Sequence, residues 1–326
     1  MLFRKISSAF FNLVLAAVPA LATAQPPLVG FNQNWSMLPS LTTPRLLGSI
    51  RALAPQVLRY PGGTVSHDWD WESGTRVHKR ASTVEAPHTL KDLKTVVDAT
   101  GADVIFVLDI VNRDLDDQIR MLRTAESLGI PVHRLELGNE LYAKDKGYEA
   151  RFPDGKAYAA AVRTWSQKLR AAFPKARIAS LLLMRDVDER NERMARWNAD
   201  VTAGTAGAVD AYTLHVYIPA RGNLADTTAR FADVTNDPAI ARKPLWITEY
   251  GNMHASGDAN YLADLEALAD FLERDPHVAI VLNHQIVGGK AARFAKLDVD
   301  GKPTAEGDRY VARARKRSAA ANEAAR

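Results

Sequence analysis

The chain contains no cysteine among its 326 residues. This absence excludes disulfide bonds, thiol catalysis, thiolate metal sites and a lipoprotein anchor. The sequence also lacks a glycine-rich phosphate turn after its first apolar run, where it reads VGFNQNWSM, and nucleotide-binding open sheets depend on such a turn. We find no internal repeat and no low-complexity linker, so nothing in the sequence divides the chain into separate folded domains.

The N-terminus carries an apolar run with a recognisable order of flanking residues. Basic residues precede the run, and a small-residue signature that ends at Ala24 follows it. This order is typical of a secretory signal that is cleaved off, rather than of a membrane span. We therefore predict that residues 1–24 are removed and that the mature protein begins at Gln25, either in the periplasm or outside the cell. The alternative is that the run forms a first helix of the core.

The formal net charge of +4 is unevenly distributed along the chain. Residues 25–310 together carry a net charge of about −2, because most of the excess positive charge lies in residues 311–326. We interpret that last segment as a solvated helix end or a basic tail. No basic stretch is interleaved with aromatic residues as grooves for single-stranded nucleic acids require, so we expect no nucleic-acid partner. Nothing in the sequence indicates an oligomeric state.

Eight short apolar or β-branched runs recur along the chain. They read LVGFN, QVLRYPG, DVIFVLDI, HRLELGN, RIASLLL, DAYTLHVY, PLWITEY and VAIVLNHQ. Most of the segments between them, such as TLKDLKTVVDAT, show the apolar spacing of amphipathic helices. Strands and helices that alternate at this length favour parallel pairing through right-handed crossovers. We therefore predict an α/β fold, a single-domain (β/α)8 TIM barrel over residues 25–310. The structural alternative is a doubly wound open sheet.

Polar residues are concentrated where the predicted strands end. In barrels of this kind the functional residues lie at the carboxyl ends of the strands. A purely structural core would avoid such groups, since buried charges are costly unless they are paired. The candidates at these strand ends are Asn32, Arg59, Asn139, Glu140, His215, Tyr217, Glu249, His284 and Gln285. The loop after the second strand adds Asp68 and Trp71.

Two of these candidates are glutamates on well-separated strands. Glu140 ends the fourth predicted strand and Glu249 ends the seventh. In a closed barrel these two strand ends lie on opposite sides of a narrow mouth. Glycoside hydrolysis uses two carboxyl groups that face one bond, one to protonate the departing oxygen and the other to attack the sugar or activate water. The pair therefore predicts a glycoside hydrolase.

At these residues the sequence resembles the retaining glycoside hydrolases of clan A, in which an Asn-Glu acid/base ends strand four and a Glu nucleophile ends strand seven. LELGNE and LWITEYG are similar to those two motifs, and LRYPGGTVSHDWDWESG is similar to the second-strand segment of α-L-arabinofuranosidases. TLHVY, NHQIVGG and AKLDVDGKPTAEGDRY look closer to heparanase-like and β-glucuronidase relatives. The resemblance covers nearly the whole mature chain.

The resemblance implies a role for each matching residue. Glu140 would be the general acid/base and Glu249 the nucleophile of a double displacement, which needs no metal or other cofactor. Asn139 would contact the sugar hydroxyl next to the reacting carbon. Tyr217 would donate a hydrogen bond to the nucleophile, and Arg59 would lie beneath the site and help to keep the nucleophile ionised.

Two departures from the family pattern affect the identity of the substrate. Only a basic tail follows Tyr310, where the relatives usually carry a β-sandwich domain. The eighth strand offers His284 and Gln285, where many members of the clan place a Trp under the sugar.

Several candidates also have a structural explanation. We expect Glu136 to form an ion pair with Arg59 inside the barrel rather than to act in catalysis. His215 fits either a hydrogen-bonded rim residue or a substrate contact. Asp68 and Trp71 fit a packed loop, although a Trp ring near a barrel mouth also offers a flat face for stacking on a sugar.

Two other classes of protein fit parts of the pattern. A metal-dependent barrel of the enolase type would use Asp109, Glu140 and Asp186 as ligands, but it leaves Glu249 without a role and lacks a Lys base at a strand end. A carbohydrate-binding barrel without catalytic activity would explain the fold, but it gives no reason for two intact glutamates.

Basic residues follow several strand ends, on the side where a substrate must enter. They are Lys144, Lys146, Arg185, Arg221, Lys290 and Arg293. Such a rim would attract an anionic sugar chain, for example a uronate-containing polysaccharide, and one basic side chain would pair with a sugar carboxylate. The alternative is an ordinary solvated rim with a neutral pentose as substrate, which the second-strand motif favours. In both cases the expected partner is a carbohydrate.

Overall fold

Eight parallel strands close into a barrel in the computed structural model, which describes residues 26–78, 86–143, 147–184, 191–288 and 294–324. The last barrel strand pairs with the first, with Leu28 opposite Ile280 and Asn32 opposite His284. A helix follows every barrel strand. The predicted (β/α)8 TIM barrel is therefore confirmed, and the doubly wound open sheet is excluded.

All eight predicted apolar runs fall on barrel strands. The strands are β1 (Leu28–Asn32), β2 (Val57–Tyr60), β3 (Asp103–Leu108), β4 (Arg134–Leu137), β5 (Arg177–Leu181), β6 (Ala211–Ile218), β7 (Leu245–Asn252) and β8 (Val278–His284). The helices are α1 (Leu46–Ala52), α2 (Leu90–Thr100), α3 (Leu115–Ser127), α4 (Gly155–Ala172), α5 (Glu192–Thr205), α6 (Leu224–Thr235), α7 (Tyr261–Arg274) and α8 (Ala305–Ala324). A short hairpin, Trp69–Asp70 with Thr75–Arg76, lies between β2 and α2.

Capping residues determine where the helices begin. Thr89 and Asp92 form a capping box at the start of α2, and Gly101 ends that helix in the left-handed conformation at φ 72°. The side chains of Asp114 and Asp154 accept backbone N–H groups in the first turns of α3 and α4. Local capping chemistry therefore fixes where these three helices begin along the outside of the barrel.

The interior of the barrel changes from apolar to polar along its axis. One end is filled by the side chains of Val57, Ile105, Ala179, Ala211, Trp246 and Ile280. Two residues beyond Val57 lies Arg59, and it meets Glu136 of β4; both side chains are fully buried. The ionisable groups therefore lie towards the carboxyl ends of the strands, where the barrel opens.

The structure describes the two ends of the chain to different extents. The predicted secretory signal, residues 1–24, lies outside the described residues. Helix α8 continues past Tyr310, so the predicted boundary after that residue falls inside a helix. Arg313 and Arg317 of the basic segment pair with Glu273 on α7 at 3.1 and 3.3 Å. Within the described ranges, none of the helices combines the length and the apolar character needed to cross a bilayer.

Candidate active site

Arg59 on β2 is the centre of a buried hydrogen-bond network. Its Nε donates to Glu136 Oε2 at 2.7 Å, and its Nη1 donates to Glu249 Oε1 at 2.7 Å. Nη1 also donates to Asn32 Oδ1 at 3.1 Å, and Nη2 donates to Asn139 Oδ1 at 2.8 Å. A planar guanidinium group holds several acceptors in fixed directions, which a lysine cannot do. The contact with Glu136 confirms the ion pair predicted from the sequence.

A β-bulge between β6 and β7 brings Glu249 into this network. The pairing of the two strands skips one residue, so that His215 lies opposite Glu249. Consecutive strand residues normally point to opposite faces. Here Thr248 Oγ1 donates to Glu136 Oε1 at 3.0 Å while Glu249 accepts from Arg59, so both residues point into the barrel. The bulge therefore re-aims the carboxylate towards the barrel axis.

The surroundings of the Glu249 carboxyl group hold it in its ionised form. Tyr217 Oη donates to Glu249 Oε2 at 2.7 Å while Arg59 binds the other oxygen. Burial by itself would raise the pKa of this carboxyl, but the positive charges of His215 and Arg59 and the hydrogen bond from Tyr217 lower it to about 2. The sequence predicts the contacts of Tyr217 and Arg59 with Glu249, and the structure contains both.

Glu140 reaches the pocket from the turn after β4. Its backbone has φ 45°, a left-handed conformation that is uncommon for residues other than glycine, and Gly138 before it has φ 90°. Glu140 Oε1 accepts a hydrogen bond from Tyr142 Oη at 3.4 Å. The Glu140 side chain is 23% exposed, whereas that of Glu249 is 10% exposed. Glu140 is therefore the more accessible of the two carboxyl groups.

His215 on β6 lies between the two glutamates. Its Nδ1 is 3.1 Å from Glu140 Oε1 and 3.7 Å from Glu249 Oε2. Burial lowers the pKa of His215, but the carboxylates of Glu249 and Glu140 outweigh burial and raise it above its ordinary value. These carboxylates therefore favour the protonated form of the His215 ring. The two distances also limit the separation of the facing glutamate oxygens to about 7 Å at most.

These groups open into a pocket of about 420 Å³ at the carboxyl ends of the strands. Small-molecule sites have volumes of about 300–1,000 Å³. The pocket is lined by Glu140, Met184, His215, Tyr217, Pro219, Arg230, Glu249, Met253, His284 and Phe294. Half of these residues are candidates from the sequence, and the other half add an apolar wall and a cation that the sequence analysis missed. The missed residues come from loops and from α6, whose direction over the mouth cannot be read from a strand pattern.

His284 lines the pocket, whereas its neighbours Asn32 and Gln285 lie behind the wall. Asn32 is fully buried and donates from Nδ2 to His284 Nδ1 at 2.9 Å while its Oδ1 accepts from Arg59. Burial lowers the pKa of His284 to about 4, so its ring is neutral at neutral pH. Gln285 is buried with its Nε2 facing Met37 Sδ at 4.0 Å. The structure therefore gives Asn32 an orienting role and places Gln285 outside the pocket lining.

Asp68 and Trp71, predicted as substrate contacts, take other partners in the structure. Asp68 pairs with Arg76 at 2.9 Å and with His78 at 2.7 Å, which closes the short hairpin after β2. Trp71 Nε1 donates to Asp117 Oδ1 on α3 at 3.4 Å. Neither side chain is part of the pocket lining, because the hairpin folds onto its own residues and onto α3. These contacts agree with the packed-loop explanation of both residues.

His67 is a site residue that the sequence analysis did not single out. Its Nε2 accepts the backbone N–H of Asn139 at 3.0 Å, and its Nδ1 lies 2.8 Å from Tyr148 Oη. Burial and the nearby charge of Arg59 lower the pKa of His67 to about 3. The ring is therefore neutral at neutral pH, with its proton on Nδ1. His67 fixes the residue that precedes Glu140, and its place in the motif TVSHDWD was the available signal.

One of the six residues of the predicted basic rim, Arg221, lies within the described residues. Lys144, Lys146, Arg185, Lys290 and Arg293 lie outside the described residues, as does Asp186 of the metal-site alternative. Arg221, the remaining rim residue, is exposed between β6 and α6. In the part of the chain that the structure describes, no three or more His, Cys, Asp or Glu side chains are grouped so that they could hold a metal ion.

A closed (β/α)8 barrel with two opposed glutamates at one pocket is the architecture of the glycoside hydrolases that the motifs resemble. Residues 157–308 match the family model of the glycosyl hydrolase catalytic core. The chain is therefore similar to glycosyl hydrolase catalytic cores over just under half of its length, a segment that includes Glu249. No curated protein sequence matches the chain.

Solved structures of glycoside hydrolases share the fold. The chain is similar to a family 51 α-L-arabinofuranosidase from Bifidobacterium longum, with 16% identity, a TM-score of 0.63 and coverage of 86% of this chain and 72% of that one. A β-glucuronidase from an uncultured Clostridium species has 11% identity and a TM-score of 0.57 over 89% of this chain and 50% of that one. An endo-β-1,3-glucanase from Sorangium cellulosum has 17% identity and a TM-score of 0.54 over 87% of this chain and 97% of that one. Identities this low show a common fold and leave the substrate open.

Proposed function

We propose that the protein is a retaining glycoside hydrolase with Glu249 as nucleophile and Glu140 as general acid/base. The observation that carries this proposal is the unequal environment of two glutamates at one pocket. Glu249 is held ionised by Arg59 and Tyr217, whereas Glu140 is more exposed and contacts His215. Carboxyl groups whose environments differ in this way can divide the roles of nucleophile and acid between them.

The placement of the two carboxyl groups is compatible with double displacement. Retaining enzymes hold them about 5–5.5 Å apart, and inverting enzymes about 6.5–9.5 Å apart, with room for a water molecule between carboxyl and sugar. His215 holds the two facing oxygens within about 7 Å of each other, a limit that the retaining geometry satisfies.

The contacts of each glutamate suit two successive steps. In the first step Glu249 attacks the anomeric carbon while Glu140 gives its proton to the departing oxygen, and a covalent glycosyl-enzyme forms. In the second step Glu140 takes a proton from water, the water oxygen bonds to the anomeric carbon, and Glu249 leaves as a carboxylate. Arg59 and Tyr217 stabilise that leaving carboxylate. The His215 ring balances the negative charge on Glu140 between the two steps.

Substitution of each glutamate by glutamine tests this assignment. We expect Glu249→Gln to abolish turnover of aryl α-L-arabinofuranosides and β-D-glucuronides. Glu140→Gln should retain activity on dinitrophenyl glycosides, whose leaving group needs little protonation, and lose it on phenyl glycosides. The matched control is Glu126→Gln on the surface of α3, which should leave turnover unchanged.

The product anomer and the binding of sugar complete the test. Proton NMR during turnover should show that the first product keeps the anomeric configuration of the substrate. An inverted product would contradict the retaining mechanism. Sugar binding without turnover of any glycoside in the panel would instead support the carbohydrate-binding alternative.

We further propose an anionic sugar as the substrate. Arg230 lines the pocket beside the two glutamates, and Arg221 is exposed beyond β6. The similar Clostridium protein is a β-glucuronidase by name, which supports a uronate, whereas the second-strand motif and the family 51 likeness support a neutral arabinoside. We expect Arg230→Gln to lower turnover of the glucuronide more than that of the arabinoside.

Ionic strength provides an independent test of the substrate charge. Turnover of a uronate-containing polymer should fall as added salt passes about 0.15 M, where the screening length is about 8 Å. Turnover of a neutral aryl glycoside should change little. Equal salt responses, or activity confined to arabinosides, would contradict an anionic substrate.

We also propose that the protein is exported. The basic N-terminus, the apolar run and the signature ending at Ala24 support this location. N-terminal sequencing of the protein from a culture medium or periplasmic fraction should begin at Gln25. Retention of residues 1–24 in a membrane fraction would contradict cleavage.

A further inference from the structure

Arg193, the second residue of α5, binds the backbone that follows Glu140. Its Nη2 donates to the carbonyl of Leu141, and its Nη1 donates to the carbonyl of Tyr142 at 2.5 Å. Its Nε donates to the carbonyl of Phe152 at 3.1 Å. One guanidinium group therefore joins the two residues directly after Glu140 to a point further along the same connection between β4 and α4.

The position of the Arg193 guanidinium is itself fixed by packing. Its Cζ atom lies 5.0 Å from the centre of the Trp197 ring, and that ring is fully buried. Trp197 stacks on Tyr158 at 5.3 Å, and Tyr158 Oη donates to the carbonyl of Leu137, the last residue of β4. The same cluster of aromatic rings thus supports the chain at the end of β4 and at Arg193.

The segment held in this way contains the unusual backbone of Glu140. Asn139 before it is bound by His67, and Leu141 after it is bound by Arg193. The φ of 45° at Glu140 is unfavourable for an L-residue, so it persists only where the surrounding contacts determine it. Within the described residues, the contacts on the C-terminal side include three carbonyls bound by one arginine.

We propose that Arg193 is a positioning residue, which holds the turn after β4 so that the Glu140 carboxyl group faces the leaving-group oxygen. This inference rests on the proposed function of Glu140 as general acid/base. Arginine suits the task because its donors form a rigid fork, whereas lysine has one flexible ammonium group. A displacement of about 1 Å in a catalytic group can cost about 100-fold in rate. Loss of the hydrogen bonds from Arg193 to the turn should therefore lower the rate measurably.

The test compares leaving groups in folded variants. We expect Arg193→Met to lower kcat/KM on a phenyl glycoside by about 10- to 100-fold and on the matching dinitrophenyl glycoside by less than about 3-fold, because only the first needs the acid. Arg193→Lys should give an intermediate loss with the same selectivity. The control is Arg196→Met, four-fifths of a helical turn further along α5; Arg196 is 57% exposed and pairs with Asp200 at 3.8 Å. This control should change neither rate.

Circular dichroism and thermal unfolding establish that each variant is folded. If the Met variant does not fold, the Lys variant supplies the comparison of kcat/KM losses on the phenyl and dinitrophenyl glycosides. Equal losses on both glycosides, or no loss on either, would show that Arg193 only supports the loop and would overturn the proposal. Glu140→Gln is measured beside them. If that variant lacks the selective loss, the proposed function of Glu140 fails and the inference fails with it; if it shows the loss and the Arg193 variants do not, the inference alone fails.

Discussion

Replacement of Arg59 by Met would remove the cation from the buried network beneath the pocket. Arg59 is fully buried and lies 2.7 Å from both Glu136 and Glu249. Methionine fills a similar space but donates no hydrogen bond, so two buried carboxyl groups lose their common partner. Removal of one partner from a buried ion pair costs about 3–5 kcal/mol. We therefore expect the free energy of unfolding at pH 7 to fall by about 3–5 kcal/mol.

The loss of unfolding free energy in Arg59→Met should depend on pH, and the pKa of Glu249 determines whether it grows or shrinks as the pH falls. Burial opposes ionisation of this carboxyl, yet the charges of His215 and Arg59 lower its pKa from 4.5 to about 2. A depressed pKa adds stability above the pKa of the unfolded chain, and that contribution is lost as the pH falls through the folded pKa. For Glu249 the full contribution is roughly 3 kcal/mol. Without Arg59 the folded pKa rises, so the variant should approach the parent in stability as the pH falls from 5 towards 3.

Urea unfolding followed by circular dichroism at several pH values between about 3 and 7 measures both effects. The control is Arg51→Met on the exposed face of α1, which should change stability by no more than about 0.5 kcal/mol. The double variant Arg59→Met with Glu136→Gln should recover part of the loss, because one uncompensated charge is then absent. A loss below about 1 kcal/mol at pH 7, or a loss that is the same at every pH, would refute the reasoning.

Three further substitutions have definite expected outcomes. Tyr217→Phe removes a hydrogen bond to the Glu249 carboxylate, and since such bonds are worth about 1.5–3 kcal/mol, the acid limb of the kcat/KM profile should move up by about 1–2 pH units; an unmoved limb would contradict the role of Tyr217. Gly63→Ala places a methyl group 2.7 Å from Glu249 Oε1 and should lower kcat/KM at least about tenfold, whereas Gly48→Ala, with open space around it on α1, should leave kcat/KM unchanged. Lys296→Met breaks a buried ion pair of 2.6 Å with α8 and should cost about 3–5 kcal/mol in urea unfolding; a cost near zero would show that the pair is not needed for stability.

The barrel could be predicted from the sequence because its strands are buried on both faces. Such strands read as short continuous apolar runs, and DVIFVLDI and VAIVLNHQ both lie on barrel strands in the structure. The starts of helices α2 and α3 could also be predicted from the sequence, since Thr89 and Asp114 lie directly before segments with helical apolar spacing. The C-terminal end of the last helix could not be located from the sequence. Its basic residues fit either a solvated helix end or a tail in sequence, and in the structure they continue α8, where Arg313 pairs with Asp270 and Glu273 on α7.

The site could be predicted where it depends on strand ends and not where it depends on loops. His215 and Tyr217 lie two residues apart on β6, so their shared direction follows from strand alternation, whereas the direction of Glu249 depends on the β-bulge between β6 and β7. Trp71 follows a strand too, but the hairpin after β2 turns it towards α3. Arg193 gave no signal in the sequence, because it lies 52 residues from the carbonyl of Leu141 that it binds. Contacts between residues so far apart in the sequence depend on how the helices pack, and a local sequence pattern does not predict this packing.

The Arg59 network also bears on which strand alignment the barrel can adopt. Arg59 and Glu249 are 190 residues apart in the chain, so their contact exists only after β7 has joined the strands before it. A slip of one residue along any strand exchanges its inward and outward side chains. In the apolar layer around Val57 a slip that brought in Leu58 would exchange one hydrophobic side chain for another. At Arg59 it would leave a buried charge facing no carboxylate, so the polar layer penalises misaligned barrels that the apolar layer would tolerate.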